Sequence, residues 1–241
     1  MDNRYKRQVG LPEIGEDGQN RLASAKAAVI GAGGLGSPVL YYLAAAGVGR
    51  ITIIDHDTVD ITNLNRQILH FEDDLGREKA QSSKEKLQRF NRDIRINAST
   101  FKLTEDNAWE LLSGHDMAIS CLDNNMARCI LNAACIKSGI PMVNGGVQGF
   151  EGYVMVVLPG ITPCYQCIFP GYGANERQGT EEVSVLGATA GVVGSMMAVE
   201  AIKVLLGVPI SPYFYYIDLM TSAIVPVGAK KADDCTVCGE I

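Results

Sequence analysis

The stretch AAVIGAGGLGSPVLYYLAAAG at residues 27–47 decides the fold of this chain. Four apolar residues at 27–30 predict a buried strand, and residues 37–46 predict a helix that Gly47 ends. Between them, Gly31-Ala32-Gly33-Gly34-Leu35-Gly36 fits the spacing G-x-G-x-x-G directly after a strand and at the start of a helix. A backbone without side chains turns sharply there and brings its amides against phosphate groups, so the stretch predicts nucleotide binding.

An acidic residue follows at the distance that a nucleotide site requires. The run RITIID at 50–55 predicts a second strand, and Asp55 ends it 19 residues after Gly36. An acid at this place commonly hydrogen-bonds the ribose hydroxyls of an adenine nucleotide. The pattern favours nucleotide binding over a tight turn that binds nothing, but it does not distinguish NAD from ATP.

The rest of the first half alternates strands with helices, which is typical of an α/β fold with a parallel sheet covered on both faces. A Rossmann-like part therefore ends near residue 145. The predicted elements after the second strand are a helix over 76–92, a strand over 95–101, a short helix over 105–112 capped by Thr104, a strand over 117–122 and a helix over 124–138 that Gly139 ends.

The second half has a different character. Residues 152–159 and 213–218 are β-rich, and one further long helix is predicted over 188–206. This half predicts an antiparallel extension of the same sheet. Residues 171–182 form one long polar segment, which we interpret as either a functional loop or a disordered one.

Two cations lie where a triphosphate would need them. Arg66 follows the amide side chains of Asn63 and Asn65, and Lys79 lies near the start of a helix. Arginine binds two phosphate oxygens as a fork and lysine acts as a point charge. Taken singly, each is typical of a solvated surface residue, so the prediction of a phosphate clamp depends on the two together.

Asp123 follows the strand over 117–122, at the carboxyl edge of the parallel sheet, where ligands bind in such folds. A carboxylate there is suited to hold Mg²⁺ on a triphosphate. It is equally suited to cap the helix that follows. Position alone leaves these two interpretations open.

The chain has seven cysteines, and four of them form two CxxC pairs. Cys164 with Cys167 and Cys235 with Cys238 lie among turn residues and predict a four-cysteine zinc site that ties the C-terminal tail to the rest of the domain. A redox site is disfavoured, because thioredoxin-type motifs occur singly. Cys121, Cys129 and Cys135 are expected to be buried inert thiols. For Cys121, which is two residues from Asp123, the alternative is that it faces the nucleotide site.

Composition excludes several classes of protein. The 241 residues carry 21 basic and 27 acidic side chains, a formal net charge of −6, which does not favour binding to nucleic acid or to an anionic membrane. The longest apolar uncharged stretch, residues 183–199, is short for a membrane span. We therefore expect a soluble cytoplasmic protein without a leader peptide.

Several long motifs together resemble the ubiquitin-activating-enzyme-like superfamily, and most closely its MoeB, ThiF and HesA branch. They are RYKRQ at 4–8, the run from GAGGLG to NLNRQ at 31–67, GREKA from 76, CLDN from 121, CYQC from 164, GVVGSMMAVEAIKVLLG from 191 and the closing CTVC. The resemblance implies one ThiF-type domain over 1–241, with a nucleotide-binding part over 1–145 and, over 146–241, a β extension, a crossover loop and the zinc-binding part.

The resemblance also implies an activity. Members use ATP and Mg²⁺ to adenylylate the C-terminal glycine of a ubiquitin-like sulfur carrier that ends in Gly-Gly, of the MoaD or ThiS type, and release pyrophosphate. It favours Mg²⁺ binding by Asp123 and implies that Arg7 reaches the ATP of the other subunit in a homodimer. The implied contacts are Gly33, Gly34 and Gly36 with phosphates, Asp55 with the ribose, and Asn63, Arg66 and Lys79 with the triphosphate.

One departure from the family pattern limits the expected reaction. Many relatives carry a cysteine in the crossover loop, whereas here the corresponding position is Gly179 or Thr180. Neither takes up sulfur. We therefore expect the reaction to stop at the acyl-adenylate, with a separate sulfur donor and no C-terminal sulfurtransferase domain. The carrier's pathway, molybdopterin or thiamin, is not encoded in these motifs.

Two other functions explain part of the sequence. An NAD-dependent oxidoreductase with a structural zinc accounts for the glycine run, Asp55 and the cysteines, but leaves the cations unused. A non-catalytic nucleotide-holding relative conflicts with the complete set of expected ATP-site residues. Apolar residues after the Rossmann-like part are expected to include the carrier-docking surface, although core packing competes for them: Phe150, Tyr153 and Met155.

Overall fold

The computed structural model describes residues 3–171 and 184–239. Its centre is a mixed sheet of eight strands in the order β3-β2-β1-β4-β5-β6-β7-β8. The strands are β1 Lys26–Ile30, β2 Arg50–Ile54, β3 Arg95–Ser99, β4 Met117–Ser120, β5 Met142–Gln148, β6 Glu151–Val157, β7 Tyr213–Asp218 and β8 Ala223–Gly228.

Strands β1 to β5 are parallel, and the strand order reverses beside β1. The chain goes from β1 outward to β2 and β3 and then returns to β4 on the other side, so Ile30 pairs with Ile54 in one direction and with Ser120 in the other. A crevice opens at the carboxyl ends of the strands at such a reversal. This places the glycine run, Asp55 and Asp123 around one crevice.

Strands β6 to β8 continue the same sheet in antiparallel order, as predicted. Strand β8 was not predicted, because its sequence AIVPVG contains Pro226 and carries no alternating pattern. A proline is tolerated here because β8 is at the edge of the sheet, where one side of the strand needs no ladder hydrogen bonds.

Eight α-helices surround the sheet in the described part of the chain. They are α1 Lys6–Val9, α2 Gly15–Ser24, α3 Gly36–Ala46, α4 Lys79–Phe90, α5 Ala108–Leu112, α6 Asn125–Ser138, α7 Tyr165–Ile168 and α8 Gly187–Leu206. Both predicted glycine ends are confirmed, because Gly47 and Gly139 adopt left-handed backbone angles directly after α3 and α6.

Two predicted helix starts are wrong. Helix α4 begins at Lys79 instead of residue 76, since Gly76 has φ +77° and the chain becomes helical only after Glu78. Helix α5 begins at Ala108, and Thr104 does not cap it. The Asn107 side chain instead accepts a hydrogen bond from the Thr104 backbone N–H, which holds residues 104–107 in a turn before the helix.

The sheet separates two apolar cores, and alternate residues of β1 point into each. Ala27 and Val29 pack in the core that α3 and α8 cover, whereas Ala28 and Ile30 pack in the core beneath α5 and α6. Among the described residues, α8 alone is long and apolar enough to cross a membrane by length and composition. Half of its apolar window is buried, and it packs against α3, β5 and β6 as a core helix does.

Candidate functional site

The glycine run makes a tight turn between β1 and α3. Gly31 has φ +97°, and a Cβ atom there would lie 2.5 Å from the carbonyl oxygen of Cys121. A Cβ atom on Gly36 would lie 2.1 Å from the carbonyl oxygen of Gly31. Backbone therefore packs on backbone at both ends of the turn, and only glycine fits.

Asp55 stabilises this turn through hydrogen bonds to the backbone. Its side chain is 8% exposed, and its two oxygens accept hydrogen bonds from the backbone N–H groups of Ala32 (2.7 Å) and Asp57 (2.9 Å). The acid predicted to bind ribose thus also fixes the glycine run. Each carboxylate oxygen has a second lone pair that can accept a hydrogen bond from a ribose hydroxyl. That contact stays a prediction.

His70 holds the same peptide segment from the other side, and sequence reasoning missed it. The ring is 3% exposed; Nε2 lies 3.0 Å from the Ala32 carbonyl oxygen and Nδ1 lies 2.9 Å from Ser82 Oγ on α4. Because a carbonyl only accepts, Nε2 carries the proton and the neutral ring accepts from Ser82. The sequence offers only metal-ligand spacing as a signal for functional histidines, and that spacing does not identify a histidine such as His70 that bonds to a distant backbone carbonyl.

The position of His70 predicts acid sensitivity. Burial and the charges of Lys86 and Lys79 lower the pKa of His70, against the opposing effect of the Ala32 carbonyl and Asp74. The unfolded chain therefore takes up a proton before the folded protein does. Below the ordinary value of 6.5, the free energy of unfolding is expected to fall as the pH falls, whereas above it His70 contributes no slope.

The measurement is urea unfolding between pH 8 and pH 5 for the unaltered protein and for His70→Gln, whose amide can still donate to Ala32. The variant is expected to lose part of the acid slope. His115, whose pKa burial also lowers, is present in both proteins, so the difference isolates His70. Parallel curves for the two proteins would contradict the assignment.

The two predicted phosphate-binding cations both lie near the glycine run. Lys79 is the first residue of α4, is 6% exposed, and places Nζ 3.0 Å from Asp57 Oδ2. Arg66 lies over the run, because its Cγ is 3.6 Å from where a Cβ on Gly34 would be. The Arg66 guanidinium donates to the Thr62 carbonyl and to Asn65.

The other triphosphate contact, Asn63, ends a 3₁₀ turn over Ile61–Asn63 and is half-buried. Two residues that follow this 3₁₀ turn lie against the glycine run: the Gln67 side chain lies beside Gly33, and the Arg66 side chain lies beside Gly34. The structure thus brings Gly33, Gly34, Gly36, Asn63, Arg66 and Lys79 to one end of the sheet, and their contacts with ATP stay predictions.

Asp123 is exposed in the loop after β4 and does not cap the next helix. Asn124 is the cap, because its side chain accepts from the Ala127 backbone N–H at 2.8 Å. Of the two roles left open for Asp123, the capping role is therefore excluded. An exposed carboxylate at the carboxyl edge of the sheet has the donor chemistry and the place that fit Mg²⁺.

Arg128 supports the Asp123 loop and was also missed. Its guanidinium is 8% exposed and donates to the carbonyl oxygens of Leu122 (2.5 Å) and Gly145 (3.3 Å) and to Asn125 Oδ1 (3.1 Å). A buried arginine one turn into a helix follows no known spacing rule, so the sequence alone gave no signal for it.

Arg7 lies on the short helix α1 at the surface. It makes no ion pair with any residue in the described ranges. Its predicted contact with the ATP of a second subunit stays a prediction.

The four predicted zinc ligands converge. The sulfur atoms of Cys164, Cys167, Cys235 and Cys238 all lie within 4.8 Å of one another, with Cys164–Cys167 at 3.8 Å, Cys164–Cys235 at 3.7 Å and Cys167–Cys238 at 3.4 Å. Tetrahedral zinc with Zn–S bonds of about 2.3 Å separates its sulfurs by about 3.8 Å, so the cluster fits zinc. We call these four residues with α7 the knuckle.

The knuckle sulfurs have different environments. Burial acts to raise the pKa of the Cys235 thiol, but hydrogen bonds from the backbone of Cys238 and Val237 outweigh it and lower that pKa to about 7. Burial raises the pKa of Cys164 and of Cys238. A bound cation would deprotonate such thiols, since zinc ligation requires thiolate.

We expect the purified protein to carry one zinc ion per chain. Replacing Cys238 with serine is expected to lower the zinc content and to lower Tm, on the order of 10 °C, because the C-terminal tail then loses its attachment. Metal analysis and thermal unfolding measure both effects. The matched control is Cys129→Ser, a half-buried cysteine outside the knuckle, which should keep its zinc; equal zinc in both variants would contradict the assignment.

Two of the three remaining cysteines, Cys121 and Cys135, are buried as expected, whereas Cys129 is half-buried. Cys121 is buried under the glycine run, and burial raises its pKa; burial likewise raises the pKa of Cys135 to about 12. Cys129 donates a hydrogen bond to Gln166 at 3.4 Å. The interpretation of residues 171–182 as one loop and the alignment of Gly179 and Thr180 rest on residues 172–183, which lie outside the described residues.

Comparisons with known proteins agree with this geometry. The model of the ThiF family matches residues 5–237. A sulfur carrier protein adenylyltransferase of Thermus thermophilus is 39% identical over 246 residues, covering 99% of this chain and 91% of that protein. The adenylyltransferase and sulfurtransferase MOCS3 of Mus musculus is 40% identical over 241 residues. That alignment covers 98% of this chain but 52% of the mouse protein.

The fold is also found among solved structures. The crystal structure of E. coli MccB with ATP superposes on this chain with a TM-score of 0.84 and 24% sequence identity. The superposition covers 99% of this chain and 75% of the MccB chain. Because the family match extends over the parallel half and three of the four knuckle cysteines, and the Thermus thermophilus protein aligns with nearly the whole chain, the chain belongs to the ThiF family.

Proposed function

We propose that this chain uses ATP to adenylylate the C-terminal glycine carboxylate of a ubiquitin-like sulfur-carrier protein and releases pyrophosphate. The observation that carries the proposal is the group of residues around the strand-order reversal. There, a glycine turn that admits no side chain lies beside two cations, and an exposed carboxylate follows the neighbouring strand. ThiF-family membership and the names of relatives support the same reaction.

The chemistry needs charge neutralisation and positioning, and it needs no nucleophile from the protein. A carboxylate oxygen of the carrier's terminal glycine attacks the α-phosphorus of ATP, a new P–O bond forms, and the bond between the α-phosphorus and the bridging oxygen breaks. Both electrons of that bond leave with pyrophosphate. The backbone amides of Gly33, Gly34 and Gly36 would hold phosphate oxygens, and Arg66, Lys79 and Asn63 would neutralise the triphosphate.

Mg²⁺ would be held by Asp123 and by the phosphates, and it would supply positive charge against the leaving pyrophosphate. Asp55, already fixed against Ala32, would hold the ribose. We further propose that a homodimer forms and that Arg7 of each subunit reaches the ATP of the other. With Gly179 and Thr180 in the crossover loop, the reaction would stop at the acyl-adenylate, and a separate donor would supply sulfur.

The domain assignment is part of the proposal. One continuous sheet links the predicted nucleotide-binding part, residues 1–145, to the β extension and knuckle over 146–241, and we propose that the two parts act as one domain in the cytoplasm.

The proposed carrier-docking surface differs from the one predicted. Met155 is buried in the core and Tyr153 packs against Phe169 with ring centroids 5.0 Å apart, so neither is free for a partner. Phe150 is exposed between β5 and β6. We propose that Phe150 contacts the carrier together with Tyr216 and Val225, which are exposed and pair with each other across β7 and β8, and with Met220, which is exposed in the turn between these strands.

The test is exchange of labelled pyrophosphate into ATP, with and without a small carrier protein that ends in Gly-Gly. Exchange is expected only with the carrier, and a carrier shortened by its last glycine should not support it. Absence of exchange, together with tight binding of NADH, would overturn the proposal in favour of the oxidoreductase.

A further inference from the structure

We propose that Tyr165, the second residue of the CYQC motif, is a positioning residue that connects the zinc knuckle to the Asp123 loop. The inference rests on the proposed function, because it concerns how well Asp123 is placed to bind Mg²⁺ with ATP. It gives the knuckle a second role besides holding the C-terminal tail.

Tyr165 bonds to helix α6 at two points. Its backbone N–H donates to Asn132 Oδ1 at 3.0 Å, and its hydroxyl donates to Asn125 Oδ1 at 3.0 Å. The two asparagines are seven residues apart, which places them on the same face of the helix about two turns apart. The tyrosine ring, 1% exposed, therefore lies along α6 and reaches its first residue.

The bonds continue from α6 to the loop that carries Asp123. Asn125 Oδ1 accepts from Arg128 as well as from Tyr165, at 3.1 Å. Arg128 in turn donates to the Leu122 carbonyl, which belongs to the peptide that joins Leu122 to Asp123. The guanidinium is buried, so it holds a fixed geometry only while its partners hold theirs. The Tyr165 hydroxyl thus fixes Asn125, and Asn125 fixes the arginine that supports the loop.

The position of Tyr165 depends on the metal site. Helix α7, Tyr165–Ile168, is a single turn, which is too short to be stable by itself. Cys164 precedes it and Cys167 lies within it, and both sulfurs are ligands of the proposed zinc. Zinc would therefore fix the turn, and its loss would release the tyrosine. The ring also packs against Phe169, with ring centroids 4.9 Å apart, a contact that does not involve the hydroxyl.

The decisive variant is Tyr165→Phe, which deletes the hydroxyl and keeps the ring. ATP binding is measured by calorimetry over a series of Mg²⁺ concentrations, with the zinc content of each protein determined in parallel. We expect unchanged zinc content, unchanged binding of ATP without Mg²⁺, and a Mg²⁺ requirement raised about five-fold, the effect of losing one hydrogen bond. Amide exchange at residues 121–126 is expected to be faster.

Two further variants separate positioning from general destabilisation. Thr162→Val deletes a buried hydroxyl in the same half of the chain, whose partners are the Val156 carbonyl and the Leu158 N–H and not residues of α6. It should leave the Mg²⁺ requirement unchanged. Asn125→Ala should raise it, and adding Tyr165→Phe to Asn125→Ala should raise it no further, because both act through one chain of bonds.

A Mg²⁺ requirement of Tyr165→Phe equal to that of the unaltered protein would overturn the inference, and so would an equal shift in Thr162→Val. Should the unaltered protein bind ATP with no response to Mg²⁺, the proposed role of Asp123 fails, and the inference fails with it. If Tyr165→Phe does not fold, the shift in Asn125→Ala together with its amide exchange decides the question.

Discussion

Replacing Gly36 with alanine is expected to weaken ATP binding severely. The new Cβ atom would lie 2.1 Å from the Gly31 carbonyl oxygen, and a backbone atom held at the end of β1 does not move aside as a flexible side chain does. The turn would have to open, which separates the amides that would hold the phosphates. The cost of such overpacking corresponds to a loss of ATP affinity on the order of 100-fold.

The matched control is Gly191→Ala. Gly191 lies inside α8, and a Cβ atom there meets nothing within 4 Å, so alanine should raise the stability of the helix slightly and leave ATP binding unchanged. Calorimetric titration with ATP measures both proteins. Normal ATP affinity in Gly36→Ala would show that the glycine run is a turn and not a phosphate site.

Replacing Lys79 with methionine is expected to slow formation of the acyl-adenylate roughly 100- to 1,000-fold, the usual cost of removing one charge that stabilises a transition state. Methionine fills the same buried space without the positive charge. The partner carboxylate, Asp57, is half exposed and keeps its hydration, so the fold should lose little stability. The rate should fall much more than the ATP affinity does.

Lys203→Met is the control for this variant. Lys203 also pairs with a carboxylate, that of Glu200 at 2.8 Å, but it lies in the last turns of α8, away from the glycine run. It should retain the rate of the unaltered protein. Single-turnover kinetics with ATP and the carrier measure all three proteins, and equal rates in Lys79→Met and Lys203→Met would contradict the role of Lys79.

The sequence predicted those features that local rules determine. The glycine run after β1 could be identified because its spacing has one structural context, and the helix ends at Gly47 and Gly139 because a left-handed residue there is nearly always glycine. The knuckle could be predicted because four thiols in two CxxC pairs fit few arrangements other than a tetrahedral metal site. The parallel arrangement of the first half followed from the alternation of strands and helices.

Other features depend on contacts between distant parts of the chain. His70 bonds to a residue 38 positions away, and Arg128 on α6 bonds to Gly145 on β5; no spacing rule links either pair. Asn124, one position after Asp123, caps α6 instead, and the Asn107 side chain accepts a hydrogen bond from the backbone N–H of Thr104, the residue that was predicted to cap α5. Competition of this kind between neighbouring polar side chains is decided by the fold.

In the proposed reaction, the chain joins AMP to the carboxylate of a carrier's terminal glycine. Intact-mass analysis of a Gly-Gly-ending carrier, after incubation with the protein, ATP and Mg²⁺, detects this product. We expect a carrier whose mass has increased by one adenylate, which hydroxylamine removes, and no carrier bound covalently to the protein itself. A carrier of unchanged mass, under conditions where ATP is bound, would contradict it.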